Sequence, residues 1–399
     1  MKRLISIAIC GLLTMTIAAQ TADVTSYNII DPERGTVSVD VQWYTPTIVR
    51  ILKTLPGNAV KKQSLSVIAH PDKGLKIKNQ VTADDLFVIK GEKLTVTVDM
   101  NTGTVAFAKS DGTELLRELK NTRAFTPFND AGNATYSVYQ GFATDPDEGL
   151  YGLGQLQDGK MMQRNMTKLL VQGNTEDSSP FFLSTKGYGV FWDNYSGTTY
   201  KDSAEGTSFL SEVGECIDYY FIYGGDADGV IAGVRALTGD VPMIPLWSYG
   251  FLQSKERYKS QEETVGVVRE YRNHGIPLDC IIQDWQYWGN NYLWNAMDFQ
   301  NPLFSRPQAM IDSVHGMNAK MMISIWSSFG PATKPYRALE KEGLLFDIET
   351  WPQSGLEGWP PNMDYPSGVR VYDPYSAKAR DIYWHYLNEG IFKLGMDAW

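Results

Sequence analysis

"LDCIIQDW", residues 278–285, decides the fold. Its apolar residues run on without alternation, the pattern of a strand buried on both faces, as in parallel sheets. Helical patterns flank it. Upstream, "SQEETVGVVREYRNHG" (260–275) predicts a helix with Ser260 as N-cap, Glu263 at capping-box spacing and Gly275 as the stop. Downstream, "SRPQAMIDSVHG" (305–316) predicts a short helix with Pro307 in its first turn and Gly316 at its end. "KMMISIW" (320–326) reads as another buried strand. "SAKARDIYWHYLNEG" (376–390) reads as a helix with Ala379, Ile382 and Tyr386 on one face, and "MDAW" (396–399) as the opening of the next strand. With "WSYGFLQS" (247–254) as the first strand, strand and helix alternate through residues 241–399. That alternation predicts a doubly wound sheet or a (β/α)8 barrel. In a barrel the chemistry sits where strands end.

Residues 21–240 read differently. "KLTVTVDM" alternates Leu94, Val96 and Val98 with Thr95 and Thr97, a period-2 strand. Turn signals follow at Asn101-Thr102-Gly103 and Asp111-Gly112, and short strands recur in "GTVSVDVQWY", "YGVFWDNYS" and "IDYYFIYGG". The pattern predicts an all-β sandwich and changes near Asp240-Val241-Pro242. The expected class is thus a multidomain β plus α/β protein: an N-terminal β-sandwich, then the first half of a (β/α)8 TIM barrel.

Composition narrows the function. Apolar residues make up 43% and charged residues 21% of the chain, values of a folded protein. Residues 1–20 form a basic start (Lys2, Arg3), an apolar run from Leu4 and a small-residue end, the pattern of a secretory signal peptide cleaved near Ala19 or Gln20. The run is too short to predict a membrane span. Its removal takes the net charge from -10 to about -12. An acidic exported chain is a poor nucleic-acid binder, so the expected location is periplasmic or extracellular. Cys216 and Cys280, far apart, make no disulfide framework, and Cys280 lies in an apolar strand. The four His are scattered, so no metal and no cofactor is expected. His274 and His315 each precede a Gly at a helix end, where a cation suits the dipole.

The strand ends carry the candidates. The second strand ends in Asp284-Trp285, with Tyr287 and Trp288 after it, and the third in Trp326. Two readings of each stand. Asp284 is either a cap or buried pair, or a carboxylate facing a ligand beside an aromatic ring. Trp326 is either core or pocket wall. A carboxylate beside an aromatic suits a sugar, with hydroxyls on the oxygens and the apolar ring face on the indole. The long connection from Ser327 to Pro374, with Trp351, Trp359 and "GWPPNMDYPSG", predicts a functional loop.

Six stretches occur in order: "YGLGQ" (151–155), "PFFLSTKGYGVFWDNYS" (180–196), "WSYGFLQSKERYKSQEE" (247–263), "PLDCIIQDWQYW" (277–288), "VYDPYSAKAR" (371–380) and "GMDAW" (395–399). Together they resemble glycoside hydrolase family 31, the α-glucosidase and α-xylosidase family. "QDWQYW" and the Trp after the third strand resemble its α-xylosidase branch. Gln155 departs from the Glu the family commonly has there. The resemblance implies retaining hydrolysis of a terminal, non-reducing α-linked xylose or glucose from an oligosaccharide by two carboxylates, which a retaining enzyme holds roughly 5–5.5 Å apart. It places the nucleophile about three residues beyond Trp399 and the acid/base further on, so neither falls in residues 1–399. Asp397 matches a structural position at the start of the fourth strand. What carries over is the sugar-binding half: Asp284 for sugar hydroxyls, Trp285 and Trp326 for the pocket wall, and the sandwich loop "VQGNTEDSS" (171–179), with Asn174 and Glu176, over the pocket mouth. The expectation is an N-terminal fragment, inactive by itself. The alternatives are a non-catalytic carbohydrate-binding protein on the same scaffold and a truncated product without function.

Overall fold

Alternating side chains build the first unit of the computed structural model. It describes residues 24–31, 34–57, 62–173, 175–285, 287–349 and 368–399. Residues 1–20, Asn174, Trp351 and Trp359 therefore lie outside the described residues. In the strand Leu94–Asp99, Leu94, Val96 and Val98 are buried while Thr95 and Thr97 are half-buried. Gly35–Thr45 does the same with Val37, Val39, Val41 and Trp43. Both faces of a two-sheet core are made this way.

The described strands of this unit form a seven-stranded sheet running from Val24–Asp31 to Leu150–Gln155 and a ten-stranded sheet running from Met166–Leu170 to Lys78–Val81. Phe107 of the larger sheet stacks on Phe221 of the smaller at 4.1 Å, and Phe209 on Trp192 at 5.4 Å. These cross-sheet contacts make it a sandwich. One ion pair lies in the same layer, Lys53 Nζ to Glu118 Oε2 at 2.5 Å, with both side chains almost wholly buried. One element departs from the all-β expectation. Ala227–Thr238 is a helix, opened by Asp226, whose carboxylate accepts the Gly229 amide. Its Val230 and Leu237 pack with Tyr44, Ile48, Tyr220 and Ile222.

The described residues divide into two compact units between Val241 and Pro242. In the second, the strands Leu252–Gln253, Cys280–Gln283 and Lys320–Ile323 are parallel neighbours in that order. A parallel bridge from Met322 to Ala398 adds the start of a fourth. Helices Gln261–Asn273, Pro307–Gly316 and Ala377–Gly390 alternate with them. Ser260 and Ser376 cap the first and last, each accepting an amide three residues on. This is a partial TIM barrel that follows the sandwich along the chain.

Three boundaries differ from the expected ones. "WSYGFLQS" is strand only at Leu252–Gln253, because Leu246–Tyr249 forms a 3-10 turn after Pro245. The Asp279 carboxylate takes the Phe251 amide. The third strand stops at Ile323, short of Trp326, since Asn295 takes both backbone groups of Trp326. The connection after Ser327 is not bare loop: Ser328–Phe329, Arg370–Tyr372 and Leu345–Glu349 form a small antiparallel sheet, and Thr333 caps the helix Lys334–Lys341.

Candidate active site

Parallel pairing brings the ends of the three strands together. The first two end in glutamines that the adjacent core holds in place. Gln253 ends the first, accepting the Tyr271 hydroxyl at 2.6 Å and donating to that of Tyr258. Gln283 ends the second and is buried without strain. Its Oε1 accepts Thr264 Oγ1 at 2.7 Å and its Nε2 donates to the Tyr258 carbonyl. A buried amide with both ends bonded costs little.

Asp284 follows. It is half-buried, and its Oδ1 accepts the Trp285 amide at 2.7 Å. Burial pushes its carboxyl above the ordinary value; hydrogen bonds from Trp285 and Ser324 pull the other way, and the Glu256 charge adds to the rise. Among the described residues no cation pairs with it.

The three tryptophans are arranged around one that the sequence reading missed. Trp285 and Trp326 do not stack on each other. Both flank Trp294, at 6.1 and 5.0 Å, and Trp288 also packs on it, at 5.3 Å. Asn295, also missed, clamps Trp326: its Nδ2 donates to the Trp326 carbonyl at 2.6 Å and its Oδ1 accepts the Trp326 amide at 3.1 Å. Tyr383 donates to the same carbonyl. Asn295 does this from a left-handed backbone, φ 54°, a conformation Asn tolerates better than most residues. A Trp-Asn pair in an otherwise loop-like stretch was the available signal. Trp285 is nearly buried and Trp326 half-buried. Over Trp285 lies the guanidinium of Arg257, its carbon 4.8 Å from the ring centroid.

Glu176, in the sandwich unit, pairs with Lys168 at 2.6 Å. Asp397 sits at the opposite ends of the barrel strands, where they begin, and accepts from His315, Lys320 and the Met321 amide. Cys216 and Cys280 are buried free thiols. Among the described residues no three His, Cys, Asp or Glu side chains are placed to hold a metal ion, and no helix is long and apolar enough to cross a membrane.

This architecture matches known proteins. The family description "Glycosyl hydrolases family 31 TIM-barrel domain" fits residues 241–399, and "Glycosyl hydrolase 31 N-terminal galactose mutarotase-like domain" fits residues 38–200. An α-xylosidase of Saccharolobus solfataricus is 35% identical over 378 residues, which is 92% of this chain and 48% of that protein. α-Xylosidase A of Aspergillus niger is 29% identical over 66% of this chain and 35% of its own length. The chain thus spans half or less of these relatives' length. Among solved structures, the family 31 α-xylosidase of Xanthomonas citri superposes with a TM-score of 0.83 at 27% identity, covering 95% of this chain and 57% of that one. Two matched domains in the family's own order, on a sandwich and a partial barrel, leave one assignment: the chain belongs to glycoside hydrolase family 31.

Proposed function

We propose that residues 241–399 form the sugar-holding half of a retaining α-glycosidase site that removes terminal, non-reducing xylose from oligosaccharides. One observation carries the reading. Asp284 stands at the C-terminal end of the second barrel strand, half-buried, with no cation paired to it among the described residues and its carboxyl raised by burial. Such a group keeps acceptor capacity beyond its bonds from Trp285 and Ser324, and sugar hydroxyls are donors. Trp326, clamped by Asn295, and Trp285 follow the same strand ends and pack on Trp294, which supports an aromatic lining there. Xylose is preferred over glucose because the relatives just described are named α-xylosidases.

The two catalytic carboxylates implied by the resemblance fall beyond Trp399, so residues 1–399 are expected to bind sugar without turning it over. Titrating the chain with methyl α-xyloside, and assaying it on aryl α-xyloside and aryl α-glucoside, tests both parts. Turnover would overturn the placement of the carboxylates. No binding would overturn the site. A non-catalytic carbohydrate-binding protein predicts the same binding, and separates from the enzyme when a longer gene product, if one is encoded, also fails to hydrolyse. Export is part of the same reading, supported by the pattern of residues 1–20. N-terminal sequencing of the protein recovered outside the cytoplasm tests it.

A further inference from the structure

An indole usually serves a sugar site by offering its flat face to the apolar face of the ring. Trp285 is only 4% exposed, and the Arg257 guanidinium lies 4.8 Å from its centroid. Arg257 comes from the segment after the first barrel strand, Leu252–Gln253, and Trp285 from the segment after the second, Cys280–Gln283. These strands are parallel neighbours, so both segments lie at the strand ends that bear Asp284. The guanidinium covers an indole face a ligand would otherwise meet.

The guanidinium is held but not used up. Its Nη1 donates to Glu256 Oε1 at 2.8 Å, the one side-chain hydrogen bond of Arg257 among the described residues. Its side chain is 25% exposed, against 63% for Glu256. A guanidinium has five N–H donors in a fixed fork. Stacked on an indole and tied at one corner, it keeps the others available in a set direction. The local charge also matters. Arg257 is offset by Glu256, whose charge is felt at Asp284, so the balance of the three is negative.

We propose that Arg257 is a substrate-contacting, specificity-determining residue of this site, donating hydrogen bonds to the oxygens of a neutral sugar while the acidic pair around it turns away uronic acids. The inference rests on the sugar-site reading above. It adds a donor on the first strand's loop to the acceptor, Asp284, on the second.

The test is ligand titration of the full 399-residue chain, by calorimetry or saturation-transfer NMR, with methyl α-xyloside and methyl α-glucuronide. The expected result is binding of the xyloside and much weaker binding of the glucuronide. Arg257→Met, which keeps the stem, is expected to weaken xyloside binding roughly tenfold, the loss of a hydrogen bond to a charged group. Arg257→Lys, which keeps charge without the planar fork, is expected to fall between them. Near-UV circular dichroism reports whether Trp285 stays packed; if Arg257→Met disturbs it, the lysine variant decides. Unchanged xyloside affinity in a packed Arg257→Met, or failing that in Arg257→Lys, overturns the role of Arg257, while Asp284 and the sugar site stand. Preference for the glucuronide overturns the neutral-sugar assignment. If the unsubstituted chain binds no sugar, the site itself fails and this inference with it.

Discussion

Asp397 and His315 meet at 2.6 Å, Oδ2 to Nε2, at the end of the barrel where its strands begin. Lys320 Nζ, at 2.9 Å, and the Met321 amide, at 2.9 Å, complete the cage. An aspartate, a histidine and a lysine in contact look like catalytic machinery. Their place in the fold argues otherwise, since the wrong end of a barrel serves stability. The cage fixes where the fourth strand starts. Asp397 donates its amide to the Met321 carbonyl, and Ala398 accepts from Ile323.

Asp397→Asn is therefore expected to free the fourth strand while leaving the first three in place. Burial alone would raise the Asp397 carboxyl; hydrogen bonds from Met321, Lys320 and His315 outweigh it and hold the group below its ordinary value. A depressed folded value gives stability that is present above the unfolded value of about 3.9 and lost as pH falls through the folded one. Hydrogen exchange at the Asp397 and Ile323 amides reads this directly. Protection in the native chain should drop on acidification below about pH 4. In the Asn variant it should already be lower by about 1–3 kcal/mol and less sensitive to acid. Equal protection in both chains would show that the carboxylate does not anchor the strand.

How far the sequence reaches depends on what sets each feature. The three strands and their alternating helices were legible because burial on both faces writes a continuous apolar run, and because Ser260 is a local cap. The helix Ala227–Thr238 was hidden within a β-rich stretch, although Asp226 caps it. Strand ends were misplaced wherever a distant side chain took the backbone bonds: Asp279 at Phe251, and Asn295 at Trp326. Asp284 was legible as a carboxylate leaving an apolar run. Trp294 and Asn295 were not, since they act from a loop with no periodicity, and Arg257 belongs to the site only through a contact between two loops.

Sugar affinity should follow the charge on Asp284. Hydroxyl donors need its carboxylate, and burial raises the pH at which that form is lost. Affinity for methyl α-xyloside is thus expected to fall on acidification before an ordinary aspartate with a value near 3.9 would titrate. Asp284→Asn keeps the size, removes the charge and should weaken binding by about 1.5–3 kcal/mol with no pH dependence left in this range. A native chain whose affinity is flat down to the ordinary aspartate value would remove Asp284 from ligand contact.

The "YGLGQ" motif is expected to be a backbone requirement, not a ligand contact. Gly152, Leu153 and Gly154 all have positive φ, and pairing with Asp177–Ser184 shifts register between the two glycines. A Cβ on Gly154 would lie 1.9 Å from the Asp177 carbonyl oxygen. Gly154→Ala must move backbone, so a loss of several kcal/mol, on the order of 2–4, is expected in urea unfolding of the sandwich. Gln155→Glu, at an exposed position beside it, should stay within about 0.5 kcal/mol. A stable Gly154→Ala would mean that the bulge is not rigid.

The buried pair Lys53–Glu118 offers a sharper test, because its parts and its whole predict opposite things. Burial pulls the Lys53 ammonium below its ordinary value against the support of Glu118. Glu118 also accepts the Tyr219 hydroxyl at 2.8 Å and the Val105 amide at 2.8 Å, while Lys53 donates to Gln140. The carboxylate is thus the hub, with three donors converging from both sheets. Lys53→Met leaves that hub charged in a dry core and should cost about 3–5 kcal/mol. Glu118→Gln strands the ammonium and should cost a similar amount. The double variant removes both charges, keeps an oxygen for the Val105 amide and turns an amide N–H toward the Tyr219 hydroxyl, which can accept it, so it is expected to recover much of the loss. Urea unfolding of the four chains gives the coupling energy. If the two losses simply add, the pair is not coupled, and each residue is held by its other hydrogen bonds alone.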